Sequence, residues 1–159
     1  MKTELVEKGN YIWHPLTQHK TAEAPLKIES AKGVFLYDAD GKEYIDAISS
    51  WYTAVYGHLN SQVLDKVKSG MESLDQVVFT GFTHKPAQEL ANKLFSIVPK
   101  SLEKMFFSDN GSTSVDTALK MALQYWYNQG LTKRKIIAFE GAFHGDTFGA
   151  MSASDLDVY

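Results

Sequence analysis

A chain of 159 residues and 17.8 kDa is long enough for one domain with a sizeable core. Hydrophobic residues make up 44% and charged residues 22%, which excludes a disordered, collagen-like or coiled-coil chain. Sixteen basic against 19 acidic side chains give a net charge of -3, so the basic excess of a general nucleic-acid or anionic-membrane binder is absent.

Arg134 is the single arginine among the sixteen basic residues. Bidentate carboxylate recognition favours the guanidinium fork, so a site built wholly from this stretch would lack the usual carboxylate clamp. The absence of cysteine removes disulfides, thiolate metal ligands and a cysteine nucleophile, and fits a reducing compartment. No run of 18 apolar residues occurs, and the expectation is a soluble, cytoplasmic chain with no membrane partner.

Residues 1–29 hold Pro15 and Pro25 among scattered polar residues and read as an irregular arm whose Tyr11, Ile12 and Trp13 need cover. Residues 34–37 and 43–48 are strand candidates, and Asp40-Gly41 between them supplies hairpin turn chemistry. Val63, Val67, Met71 and Leu74 recur at helical spacing. A second helix starts near Pro86, runs through Leu90, Ala91, Leu94 and Phe95, and stops before Pro99. Residues 105–107 predict a short buried strand, followed by a helix with the stripe Val115, Ala118, Leu119, Ala122 and Trp126 that Gly130 ends. Residues 136–139 predict a second buried strand. Strand, helix and strand would make a crossover unit of a parallel sheet, which is α/β grammar with the sheet left unfinished.

Asp109-Asn110-Gly111-Ser112-Thr113 lies between the predicted strand and its helix. Glycine admits a close ligand, and free amides and hydroxyls at a helix start can hold phosphate. The bland alternative is that Ser112 or Thr113 merely caps the helix. No lysine follows as in a P-loop, which removes the nucleoside triphosphate reading. Phe143-His144-Gly145 follows the second predicted strand, where open α/β sheets bind ligands, so Phe143 could stack on a flat ring or simply fill the core. Asp146 could orient a ring or a substrate amine, or cap the next turn. Trp51, Tyr52 and Tyr56 could line an aromatic pocket, with core packing as the competing explanation. The five histidines form no HExxH arrangement and no GxSxG elbow occurs, so zinc and a hydrolytic triad have no support.

Five segments carry a resemblance: Trp13-His14-Pro15, Ser49-Ser50-Trp51-Tyr52, the stretch from Phe107 to Ser112, the stretch from Lys120 to Trp126, and the block from Phe143 to Ser152. Together they resemble the N-terminal part of class-III pyridoxal-phosphate aminotransferases. The Trp-His-Pro, Ser-Trp and terminal segments favour the branch that makes 7,8-diaminononanoate for biotin synthesis. The resemblance implies the pyridoxal-phosphate-dependent transferase fold type I, incomplete in this chain. Residues 1–57 would be the arm and small-domain hairpin, and residues 58–159 the first part of the cofactor-binding α/β domain. It also implies a homodimer with pyridoxal 5'-phosphate as cofactor. Gly111 and Ser112 match phosphate-binding positions, Phe143 the ring-stacking aromatic, and Trp51 a substrate-pocket residue with Asp146 beside it. S-adenosylmethionine would donate the amino group and 8-amino-7-oxononanoate would accept it.

Two positions depart from the pattern. Leu16 stands where an aromatic usually follows Trp-His-Pro, and Phe143 where tyrosine is common, so a hydroxyl is missing at each. The family's cofactor-bonding lysine, its aspartate for the pyridine nitrogen and its carboxylate-binding arginine have no counterpart among these residues. The expectation is half an active site, with no catalytic residue and no turnover by the 159 residues alone. Other readings are a different class-III omega-aminotransferase, and a non-catalytic cofactor-binding or dimerisation module.

Overall fold

The computed structural model describes residues 11–155, which fall into two compact units, one extending to Phe82 and the other starting at Thr83. In the first unit, β1 (Ile28–Lys32), β2 (Phe35–Asp38) and β3 (Glu43–Ile45) form an antiparallel sheet in the order β1-β2-β3. The hairpin expected around Asp40-Gly41 is β2-β3, with Leu36 opposite Tyr44 and Tyr37 opposite Glu43. Its turn is held by one side chain: Asp38 Oδ1 accepts from the Asp40 and Lys42 amides at 3.1 and 2.9 Å, while Oδ2 accepts from the Tyr44 hydroxyl at 2.8 Å. Gly41 takes φ of 77°, which this turn requires and glycine adopts without a Cβ penalty.

The strand β1 falls at the end of the segment read as an irregular arm. Ser30, Ala31 and Lys32 pair with Tyr37, Leu36 and Phe35, and a bulge interrupts the register after Ile28. Five residues with one large apolar side chain give no alternation to read, and the pairing follows from the tight Gly33-Val34 connection. Ahead of it, Tyr11, Ile12 and Trp13 are all largely exposed.

Helix α1 (Ser49–Tyr52) is a single turn described with the site below. Helix α2 (Ser61–Met71) has Asn60 as its cap, its side chain accepting from the Val63 amide at 3.2 Å. The periodic stripe fixed the helix, yet Val63, Val67, Met71 and Leu74 all stay exposed.

In the second unit, α3 (Lys85–Phe95) places Pro86 in its first turn, and His84 caps it through Nδ1, which accepts from the Ala87 amide at 3.3 Å. Helix α4 (Gly111–Asn128) and the short α5 (Phe148–Ser152) pack on each other. Gly149 makes that approach possible, since a Cβ there would overlap the Asp116 carboxylate. Ala87 and Ala150 are the buried apolar residues among those described.

The strands expected at residues 105–107 and 136–139 are not formed, and neither is the parallel crossover unit. Both segments run without a ladder, and Ile137 and Phe139 are 98% and 84% exposed. A strand exists only through a hydrogen-bonded neighbour, and the described residues offer neither segment one. No described helix is long and apolar enough to cross a membrane.

Candidate active site

The cap of α4 separates two roles that the sequence left open. Asn110 is the N-cap: its side chain accepts from the Thr113 amide at 3.0 Å, and Thr113 Oγ1 accepts from the Asn110 amide at 3.2 Å. This capping box spends Thr113 and leaves Ser112 out of it. The Ser114 amide continues the helix by donating to Asn110 O. The Gly111 and Ser112 amides donate to no described residue, so two of the orphan donors of a helix start remain available. Gly111 is exposed, and a Cβ built on it would meet nothing within 4 Å.

Ser112 is instead the contact point for the loop that carries Phe143 and Asp146. The Asp146 amide donates to Ser112 Oγ at 3.0 Å, and the Thr147 hydroxyl donates to Ser112 O at 3.2 Å. A serine oxygen that accepts in this way keeps its own proton to give elsewhere. The loop lies so close because residue 145 is glycine, with φ of 138°. A Cβ there would come within 2.6 Å of Ser112 Oγ and 2.7 Å of Ser112 Cα.

The other side of the loop is tied to the residues after α5, which sequence reasoning did not single out. The Gly141 amide donates to Asp155 Oδ2 at 3.0 Å and the Asp155 amide to Ala142 O at 2.9 Å. The His144 amide donates to Ser154 Oγ at 2.8 Å, and Ser154 Oγ donates to Ala150 O at 3.1 Å. Phe143 thus stands between fixed neighbours, with 53% of its surface exposed. Asp146 is exposed too, and the cap position of α5 belongs to Thr147. Among the four sequence-selected residues of this unit, Ser112 meets the Phe143–Asp146 loop, through the Asp146 amide and Gly145. The signal for the supporting Ser154 and Asp155 would have been their polar side chains just beyond a short helix.

The donor set suits a phosphate. Two helix-start amides and a hydroxyl proton lie at the positive end of a helix dipole, and the loop that packs on Ser112 also carries an aromatic ring. An organic phosphate with a flat ring matches both halves of that arrangement.

Trp51 belongs to the first unit and sits on α1. Ser49, Ser50, Trp51 and Tyr52 have φ values of 48°, 46°, 58° and 69°, a left-handed turn made of four residues with side chains. Such a conformation costs roughly 1–2 kcal/mol per residue, so it persists only where its surroundings impose it. Asp46 supplies much of that constraint. Its Oδ2 accepts from Ser50 Oγ at 2.8 Å and lies 2.8 Å from His58 Nε2. Hydrogen bonds from Ser50, then the bond to His58, hold the Asp46 carboxyl below its ordinary range. Serine and histidine here flank one carboxylate oxygen, which is a clamp and not a nucleophile relay. Trp51 itself is 65% exposed.

The sequence profile described as Aminotransferase class-III matches residues 16–158. The chain belongs to the class-III aminotransferase family. Over 149 residues it is 48% identical to the adenosylmethionine-8-amino-7-oxononanoate aminotransferase of Synechococcus elongatus, covering 94% of this chain and 35% of that protein. The crystal structure of the same-named enzyme from Methanocaldococcus jannaschii matches with a TM-score of 0.83 at 37% identity, covering 91% of this chain and 34% of that one. The omega transaminase from Pseudomonas jessenii in complex with PMP matches with a TM-score of 0.85 at 31% identity, covering 92% of this chain and 33% of that one. The chain thus spans about a third of the length of these class-III relatives. Its fold is the corresponding part of fold type I of the pyridoxal-phosphate-dependent transferases.

Proposed function

We propose that this class-III chain binds pyridoxal 5'-phosphate and serves an aminotransferase that moves an amino group from S-adenosylmethionine to 8-amino-7-oxononanoate. The observation that carries the reading is the packing of the residue 143–147 loop on Ser112 through Gly145, with the Gly111 and Ser112 amides and the Ser112 proton left unspent at the helix start. The identity to the Synechococcus elongatus enzyme supports the choice of substrates.

In this reading, the Gly111 and Ser112 donors hold the phosphate and the Phe143 face covers one side of the ring. Trp51 in the first unit and Asp146 in the second are each read as substrate-contacting residues. The cofactor, when bound, supplies the electron-poor ring that lets an amino group exchange with a carbonyl. The chain's own residues bind and orient: donors fix one end of the cofactor, an aromatic wall restricts its tilt, and the loop ties keep that wall in place. Residues 1–57 form the arm and small-domain part of the enzyme and residues 58–159 the beginning of its cofactor-binding domain. A cytoplasmic homodimer is the expected assembly, supported by the lack of cysteine and by the exposed apolar side chains of both units.

The test uses the natural protein that carries this chain, loaded with pyridoxal phosphate. S-adenosylmethionine should convert the cofactor absorbance to that of its amine form, and 8-amino-7-oxononanoate should return it. Ser112→Ala should weaken cofactor binding roughly tenfold or more, the effect of one hydrogen bond to a charged group. Conversion by simple diamines but not by S-adenosylmethionine would transfer the reading to another class-III omega-aminotransferase. Failure to bind the cofactor at all would reject both.

A further inference from the structure

The left-handed turn of α1 is expensive, and nothing in its own sequence explains it. Ser49-Ser50-Trp51-Tyr52 contains no glycine or asparagine, the residues that enter positive φ most readily. Its backbone closes on itself only in part: the Ser49 amide donates to Asp46 O at 3.1 Å, the Tyr52 amide to Ile48 O at 3.1 Å, and the Ala54 amide to Ser49 O at 3.0 Å. The outside restraint comes through the Asp46 side chain, which is only 6% exposed.

Asp46 is itself fixed to the sheet side of the unit. Its amide donates to Val34 O at 2.9 Å. His58 is fixed beside it by a two-way bridge, with the Gly33 amide donating to His58 O at 3.0 Å and the His58 amide to Gly33 O at 2.7 Å. The neighbouring Gly57 lies against the Gly33 backbone, where a Cβ would come within 3.2 Å of its Cα. The two anchor points, Val34 and Gly33, are adjacent in sequence. The carboxylate therefore links a rigid corner to the hydroxyl of Ser50, the residue just before Trp51.

We propose that Asp46 is a positioning residue for Trp51: through Ser50, and with His58 as its brace, it holds the left-handed turn that sets the direction of the indole. Asp46 touches no reacting atom in this account. Its effect on substrate selection passes entirely through Trp51. The inference rests on the reading of Trp51 as a substrate-pocket residue.

The experiment uses the natural protein carrying this chain, labelled with 5-fluorotryptophan, with the Trp51 fluorine resonance assigned by its loss in Trp51→Phe. Asp46→Asn should shift or broaden that resonance and raise substrate KM several-fold with a smaller change in kcat. Ser50→Ala, which removes one of the two bonds to Oδ2, should move it the same way by less. Adding Ser49→Gly to Asp46→Asn should restore both resonance and KM, because glycine enters the left-handed region without the Cβ penalty. A general packing role would not be rescued by a glycine in the turn. An unmoved Trp51 resonance in Asp46→Asn, or a double variant no better than the single one, overturns the proposal. Where Asp46→Asn fails to accumulate as folded protein, Ser50→Ala decides alone, and an unmoved resonance with unchanged KM rejects the clamp. Trp51→Ala separates the two readings. If it leaves KM unchanged, the pocket role falls and takes this proposal with it; if it raises KM while Asp46→Asn does nothing, only the clamp falls.

Discussion

Gly145 and Gly149 both allow close packing, but the neighbours that set their limits differ in what they can yield. A Cβ at Gly145 would meet Ser112 Oγ, Cα and Cβ at 2.6, 2.7 and 2.8 Å, and two of those atoms move only with helix α4 itself. A Cβ at Gly149 would meet the end of the Asp116 side chain, which can rotate away. Gly145→Ala should therefore lower stability by about 1–3 kcal/mol, while Gly149→Ala should cost less. It should also weaken cofactor binding, because the loop that bonds Ser112 must lift. Thermal melts and cofactor titrations of the two variants, made in the natural protein that carries this chain, check the order, and equal effects would contradict it. Asp38 and Asp46 add a pH dependence at the same scale. Hydrogen bonding from Tyr44 holds the Asp38 carboxyl below its ordinary range, as bonding from Ser50 does for Asp46. A carboxylate whose folded pKa lies below its unfolded one stabilises the fold above the unfolded value, and that contribution disappears as pH falls through the folded one. The melting temperature should accordingly fall below about pH 4, the ordinary aspartate range. Asp38→Asn and Asp46→Asn should each flatten that fall, whereas an acid limb unchanged in both would reject the assignment.

At the scale of elements, the start of α4 joins a capping box to a donor cluster, and substitution can part them. Asn110→Ala removes the acceptor for the Thr113 amide and should cost about 1 kcal/mol of stability. Ser112→Ala leaves the box whole, so its cost should fall on cofactor affinity with little change in melting temperature. Chemical denaturation and cofactor titration of both variants, in the natural protein that carries this chain, test that division. The helices α2, α3 and α4 were legible because apolar periodicity is local and Pro86 marks the first turn of α3; the caps themselves were not, since Asn60 was not singled out and Asn110 takes the position that Ser112 or Thr113 was expected to hold. The β2-β3 hairpin was legible through its Asp40-Gly41 turn. The left-handed α1 was not, since its cause is the Asp46 side chain and not the residues that adopt it. Residues 105–107 and 136–139 misled for a related reason: composition marks a segment as fit for burial, while a strand needs a partner. Within the candidate site, Gly111, Ser112, Phe143 and Asp146 were selected from motif and resemblance. The residues that tie the loop, Ser154 and Asp155, act through hydrogen bonds to backbone, and their only sequence signal is a polar pair just beyond a short helix.

The whole molecule shows far more surface than a finished fold of its size. Its accessible area is 14675 Å². A folded monomer of this mass exposes about 8,000 Å², and even two separately folded halves would expose only about 9,600 Å² together. The exposed surface includes Trp13, Val63, Val67, Ile137 and Phe139, large apolar side chains of elements or segments that burial normally covers. At about 25 cal/mol per Å² of apolar area, leaving even 1,000 Å² uncovered forgoes about 25 kcal/mol, more than the net stability of a typical domain. The 159 residues alone should therefore fail to behave as a well-packed monomer. Size-exclusion light scattering should show association or aggregation, a hydrophobic dye such as ANS should bind, and urea unfolding should lack a sharp transition. On the proposed reading, the natural protein carrying the same residues should be silent to the dye and cooperative in unfolding, since the covered surface then lies inside it. A dye-silent, cooperatively unfolding monomer of the 159 residues would show that these faces need no cover, and would remove the support they lend to an assembly in which other protein surface completes the site.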